Sequence, residues 1–143
     1  MDYNITRFLD AQNNPYSGFD DAFRQISDGR KTGHWIWYIF PQLKSLGHSS
    51  MSKFYGIADL QEAKEYLNNE TLASRLRMIC SALLQHKDKS AVDILGDIDA
   101  LKVRSSMTLF DIVSPDDVFA DVLNAFYDGK KCGRTLMLNL PKP

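Results

Sequence analysis

The chain has 143 residues, 44% of them hydrophobic and 24% charged, and carries a formal net charge of -1. These are the proportions of a chain that folds around a core, and they exclude a disordered, highly charged segment. The length suits a single domain over 1–143, and so balanced a charge creates no field to hold bulk nucleic acid or an anionic membrane surface.

Helix punctuation is dense. Asn4 is placed to cap a short helix carrying Ile5, Phe8 and Leu9, which Pro15 ends because proline excludes the preceding residue from helical geometry. Ser17 opens a second helix with Phe19, Ala22, Phe23 and Ile26 on one face and Gly29 as its stop. The run from Gly33 to Leu43 then holds both tryptophans, a tyrosine and a phenylalanine. Its periodicity fits a buried strand or a buried helix, and the lack of any partner strand favours a helix with His34, Tyr38 and Pro41-Gln42 along one side.

Further along, Asp59 and Glu62 form a capping-box pair ahead of Leu60, Ala63 and Leu67. Asn69 starts what reads as the longest helix, with Leu72, Leu76, Ile79, Cys80 and Leu83 at helical spacing. From Asp97 to Val113 two apolar stripes share one helix: Ile98, Leu101, Leu109 and Ile112 on one, Ala100, Val103, Met107 and Phe110 on the other. A helix apolar on two faces is enclosed by neighbours, which places it at the centre of an all-α bundle. Ser114-Pro115-Asp116-Asp117 signals the last helix, with proline at its first position, Val118, Phe119, Val122, Leu123 and Phe126 inside it, and Gly129 closing it.

Two narrow polar lines run between the stripes of the central helix: Asp99, Lys102 and Ser106 on one side, and Arg104, Thr108 and Asp111 on the other. Buried polar groups cost stability unless paired, so these lines are either edges in contact with solvent or backbone, or parts of a site. Ser105 interrupts the first apolar stripe, where a small hydroxyl implies close approach of another element or a polar ligand. In the aromatic run, Trp37, Ile39 and Phe40 read as core. His34, Trp35, Tyr38 and Gln42 carry polar atoms that suit the rim of a cleft, and Arg30 and Lys31 precede them.

Standard catalytic motifs are absent. No phosphate-binding glycine loop, serine elbow or zinc helix occurs, and His34, His48 and His86 lack metal-ligand spacing, so no metal or cofactor is expected. Cys80 and Cys132 form no disulfide framework, the start Met1-Asp2-Tyr3-Asn4 lacks a secretory pattern, and charges interrupt each apolar run. A reduced, cytoplasmic setting away from membranes is the expectation. Lys102 and Ser106 lie one turn apart in the manner of a Ser-Lys nucleophile pair, although Asp99 one turn earlier favours charged lysine and an ion-paired face.

Four stretches carry a family resemblance: Arg7-Phe8-Leu9-Asp10-Ala11-Gln12, the run His34 to Leu43, Leu46-Gly47-His48-Ser49-Ser50, and Ser105-Ser106-Met107-Thr108-Leu109-Phe110. They resemble a small, mainly bacterial family known as domain of unknown function 1810, some members of which carry the label calpastatin. The resemblance implies a mostly helical single domain and no established activity. Calpastatin inhibitory segments are disordered and rich in proline, whereas this composition folds. A looser analogy, without matching motifs, is to small helical N-glycosidase-type domains acting on ADP-ribose-linked substrates.

Two functions follow as expectations. The first is binding or hydrolysis of a nucleotide-like ligand such as an ADP-ribose derivative, with His34, Lys102 and Ser106 as catalytic candidates. Lys31, Trp35, Tyr38, Gln42, Ser105 and Thr108 would hold the ligand in the same cleft. The second is a non-catalytic domain that docks a protein or peptide through its aromatic run. Oligomeric state is left open by the sequence.

Overall fold

The computed structural model of the protein describes residues 3–139. The described residues form ten α-helices and a short 3-10 turn: α1 (Thr6–Gln12), α2 (Phe19–Ser27), α3 (Ile36–Ile39), the turn Lys44–Leu46, α4 (Ser50–Tyr55), α5 (Leu60–Asn68), α6 (Glu70–Leu84), α7 (Ala91–Leu95), α8 (Asp97–Val113), α9 (Val118–Tyr127) and α10 (Gly133–Leu138). No strand forms among them, and the all-α architecture stands. No helix of the described residues is long and apolar enough to cross a membrane.

The caps explain most of the boundaries. Asn69 Oδ1 accepts the Leu72 N–H at 3.0 Å, and Asp59 Oδ1 accepts the Glu62 N–H at 3.0 Å, each satisfying an orphan donor at a helix start. Glu62 departs from the reciprocal capping box by one residue: its Oε1 takes the N–H of Ala58 at 2.7 Å instead of that of Asp59. Its other oxygen lies 2.8 Å from Arg7 Nη1, with the two side chains only 2% and 9% exposed. The same guanidinium donates to the carbonyls of Asn4, Phe54 and Gly56, so Arg7 ties the first helix to α4 and α5.

Several expected starts shift. Ile5, not Asn4, occupies the first cap position and no side chain caps it. Helix α2 begins after Gly18, because Ser17 adopts a φ of 58° and gives its N–H to Asp21. Pro115 stays outside α9: Asp116 turns to a φ of 60°, and Asp117 becomes the cap, accepting the Val118 N–H at 2.7 Å and the Ser114 hydroxyl at 2.8 Å. The longest helix is α8 with 17 residues, against 15 for α6, whose apolar pattern ends at Leu84.

Helix α8 runs from Asp97 to Val113 and packs against α3, α5, α7, α9 and α10. Its second stripe is fully enclosed: Ala100, Val103, Met107 and Phe110 are all buried. The first stripe is not. Leu109 is buried, but Ile98 is 70% and Leu101 62% exposed, because no described element covers the first turns on that side. The aromatic run forms a single helical turn, α3, between irregular segments, and all but one of the aromatic side chains from Trp35 to Phe40 are buried.

After α3 the chain doubles back. Lys44 N–H donates to Ile57 O at 2.8 Å and Ile57 N–H to Gln42 O at 2.9 Å, clamping the loop that contains α4. The clamp demands glycine: a Cβ on Gly56 would lie 2.4 Å from Lys44 Cα, and one on Gly47 would lie 2.4 Å from Ser52 Cβ. This packed loop stands beside the uncovered start of α8.

Candidate functional site

A cleft of about 460 Å³ opens between three walls. The clamped loop contributes Gln42, Leu46, Gly47, His48, Ser49 and Ser52; the first half of α8 contributes Ile98, Leu101, Lys102, Arg104 and Ser105; and Cys132 and Arg134 complete it. The volume lies within the range of small-molecule pockets.

The third wall is fixed by one polar line of α8. Arg104 donates from Nε to Lys130 O at 2.8 Å and from Nη2 to Lys131 O at 2.7 Å. Thr108 Oγ1 donates to Arg104 O at 2.8 Å and accepts the Cys132 N–H at 2.9 Å, while Lys131 Nζ lies 3.1 Å from Asp111 Oδ2. Thus Arg104, Thr108 and Asp111 clasp residues 130–132 against α8. The buried Thr108 hydroxyl is satisfied by that role and does not line the cleft.

The other line is an ion-paired network. Asp99 accepts Lys31 at 2.7 Å and faces Lys102 at 3.7 Å. Lys31 Nζ stands 4.9 Å from the centre of the Trp35 ring, and Lys102 Nζ stands 4.9 Å from that of Trp37. Lys31 also donates to Gly33 O, so it is spent on structure. Ser106 is fully buried, and its hydroxyl makes no hydrogen bond among the described residues.

Of the sequence-predicted site residues, Gln42, Lys102 and Ser105 line the cleft, whereas His34, Lys31, Trp35, Tyr38, Ser106 and Thr108 do not. Trp35 and Trp37 exchange the places expected of them. Trp35 is wholly buried, and its Nε1–H is taken by Gln25 Oε1 at 2.8 Å; Trp37 is partly exposed beside Gln42 and Ser52, with an unpartnered Nε1–H. Tyr38 is core, its hydroxyl donating to Ser17 O at 2.7 Å. His34 is exposed. The reason is the brevity of α3: one turn cannot carry His34 and Gln42 along a common helical side.

The cleft also contains Arg104, from one of the polar lines, and residues that the sequence reading does not assign to a site: His48, Ser49, Ser52, Cys132 and Arg134. Three lining residues are permanent cations, Lys102, Arg104 and Arg134, and among the described residues no carboxylate lines it. Among the described residues neither Arg104 nor Arg134 has a carboxylate partner. Anionic groups are therefore favoured there, and the exposed Ile98 and Leu101 add an apolar floor.

Cys132 is the polarised group of the cleft. Its thiol is half-buried and Ser105 Oγ lies 3.3 Å from Sγ. Burial on its own pushes this thiol up, yet the Ser105 hydroxyl and the N–H groups of Thr135 and Arg134 beside it outweigh that effect and hold the thiol below the ordinary cysteine range. Cys80, wholly buried, is pushed far up by desolvation.

The comparisons with known proteins agree with the fold. The family model described as protein of unknown function (DUF1810) matches residues 2–138. The crystal structure of the conserved hypothetical protein Rv1873 from Mycobacterium tuberculosis is 35% identical, covering 98% of this chain and 99% of that one, with a TM-score of 0.92. No curated protein matches.

Proposed function

The chain belongs to the DUF1810 family of proteins of unknown function, and, taking no activity from that membership, we propose that it binds a nucleotide-like anionic small molecule, an ADP-ribose derivative, in the cleft between α8, the clamped loop and Cys132. One observation carries this reading: Lys102, Arg104 and Arg134 line a pocket of ligand size in whose walls no carboxylate stands among the described residues. A phosphate is neutralised there by guanidinium and ammonium groups, while Leu46, Ile98 and Leu101 receive the apolar part and Gln42, Ser49 and Ser52 offer hydrogen bonds to the sugar or base. The place of the stacking indole expected at Trp35 is taken by aliphatic surface. Of the catalytic candidates His34, Lys102 and Ser106, the reading keeps Lys102 alone, as an anion-holding group.

Titration calorimetry of ADP-ribose, AMP and ribose 5-phosphate tests the reading. Saturable binding is expected, weakened about tenfold by Arg134→Ala, a loss of about 1.4 kcal/mol. It should also weaken as salt rises. Because Lys102 lies over the Trp37 ring, engagement of its ammonium should change tryptophan fluorescence. No heat and no fluorescence change at millimolar ligand would overturn it. The alternative, a non-catalytic protein- or peptide-docking domain, draws on the exposed Ile98, Leu101, Met137 and Leu138. It predicts silence in both titrations.

A further inference from the structure

We infer that the cleft reads a neutral hydroxyl of its ligand through the indole N–H of Trp37, so that the anion it selects is a hydroxylated one, a sugar phosphate. The inference rests on the anion-binding reading of the same cleft and assigns the group that enters beyond the cations.

The observation is an unsatisfied donor beside a small cavity. Trp37 Nε1 is buried, and its N–H has no acceptor among the described residues, whereas the corresponding group of Trp35 is taken by Gln25. A buried donor without an acceptor is costly, and native structures rarely keep one without a reason. Trp37 borders a recess of about 10 Å³ whose other walls are Gln42, Ser52, Tyr55 and Gly56. Gln42 and Ser52 also line the cleft, which puts the recess next to it. Lys102 makes a second link: it lines the cleft, and its Nζ stands 4.9 Å from the centre of the Trp37 ring.

Size and charge choose the group. A volume of that order holds about one water-sized sphere, so the recess admits a single oxygen and neither a ring nor a phosphate. Among the described residues no charged side chain borders it, while Lys102, Arg104 and Arg134 line the cleft outside. The anionic part of a ligand therefore stays with the cations, and a neutral oxygen enters the recess. The indole only donates, whereas the Gln42 amide and the Ser52 hydroxyl each donate or accept. A hydroxyl answers both kinds of wall, accepting from Trp37 and donating to Gln42 or Ser52. A carbonyl oxygen only accepts, and a methylene in its place strands the N–H.

The walls are held before any ligand arrives. Ile57 N–H donates to Gln42 O at 2.9 Å, and the backbones on either side of Gly56 pack so closely that a Cβ there would lie 2.4 Å from Lys44 Cα. A preformed recess of fixed size discriminates by hydrogen bonding, because a ligand lacking the hydroxyl leaves the buried donor unpaired.

The experiment is calorimetry of the wild-type protein with ribose 5-phosphate, its 1-deoxy, 2-deoxy and 3-deoxy analogues, and inorganic phosphate, a series that needs no variant. One deoxy analogue is expected to bind roughly tenfold more weakly than ribose 5-phosphate. Trp37→Phe keeps an aromatic ring under Lys102 and removes the N–H. It should weaken ribose 5-phosphate by a similar factor and leave that analogue and inorganic phosphate unchanged. In nuclear magnetic resonance spectra the Trp37 indole N–H signal, identified by its loss in Trp37→Phe, should move on addition of ribose 5-phosphate and stay in place with that analogue. Equal affinities for ribose 5-phosphate and all three analogues, an affinity no higher than that for inorganic phosphate, or a Trp37→Phe variant that weakens every anion alike or none, would overturn the inference. Any of these results alongside binding of ADP-ribose defeats the hydroxyl reading alone, whereas silence with every anion defeats the cleft as an anion site.

Discussion

Replacing Phe110 with alanine removes a ring that lies at the meeting point of three helices. Phe110 is fully buried on α8, 5.3 Å from the Tyr66 ring of α5 and 5.7 Å from the Phe119 ring of α9. Both neighbours are themselves fully buried, so the site has little freedom to collapse around the void. Truncation of a buried phenylalanine costs about 3–5 kcal/mol in transfer and cavity terms together, and the tight aromatic surroundings place this one near 4 kcal/mol. For a chain of this size that lowers the melting temperature by roughly 10–15 °C. Leu101→Ala is the matched control: on the same helix but 62% exposed, it should cost less than about 0.5 kcal/mol. Urea denaturation followed by far-ultraviolet circular dichroism measures both. If Phe110→Ala loses less than about 1 kcal/mol, or the two variants lose equal amounts, α8 is not the enclosed centre of the bundle.

The remaining predictions concern charge. Arg7→Met leaves Glu62 buried without its cation and should cost about 3–5 kcal/mol, with partial recovery in the double variant Arg7→Met/Glu62→Gln; a double variant no more stable than the single one contradicts that account. Hydrogen bonds from Arg77 hold the Asp117 carboxyl down at about 2 against the opposing effect of burial, with further help from the Val118 N–H and the Ser114 hydroxyl. Its unfolded-state value is near 4, so between about pH 4 and pH 2 the unfolded chain binds a proton that the folded chain does not. Stability from this group is thus complete above that window and is lost as pH falls through it. Asp117→Asn, which retains an oxygen for capping, should flatten the stability curve there, and an acid limb of unchanged slope would show that the carboxylate contributes nothing.

Much of the fold is legible because local rules and burial agree. Caps at Asp59 and Asn69, the left-handed Gly29 and Gly129 and the second apolar stripe of 97–113 each point to the structure observed, whereas the first stripe, with Ile98 and Leu101 exposed, does not. The readings that shift are those in which a side chain had two outlets. Glu62 could cap the Asp59 N–H or bond one residue earlier, and the buried Arg7 held its other oxygen in the second arrangement. Proline at the head of α9 reads as a first-turn residue, but the left-handed Asp116 moves the helix start past it. Helices α4, α7 and α10 have six, five and six residues, too short for periodicity to rise above the surrounding pattern.

The site is less legible because its walls come from segments with different local logic. Gln42, His48 and Ser52 belong to a loop without period, and Cys132 draws no attention in a search for disulfides or metal spacing. The polar lines of α8 announce that partners exist, yet not whether those partners are backbone, ions or a ligand: one line clasps residues 130–132, while the other pairs with Lys31. Ser105 is where sequence and site connect. A small hydroxyl on an otherwise apolar stripe implies close approach of another element, and the element that approaches is Cys132, with Ser105 Oγ lying 3.1 Å from Leu101 O and 3.3 Å from the sulfur. A larger apolar residue at 105 would bury more surface but would press against Cys132 and remove a donor to its sulfur. The interruption of the stripe is therefore a requirement of the cleft wall that α8 and Cys132 build together.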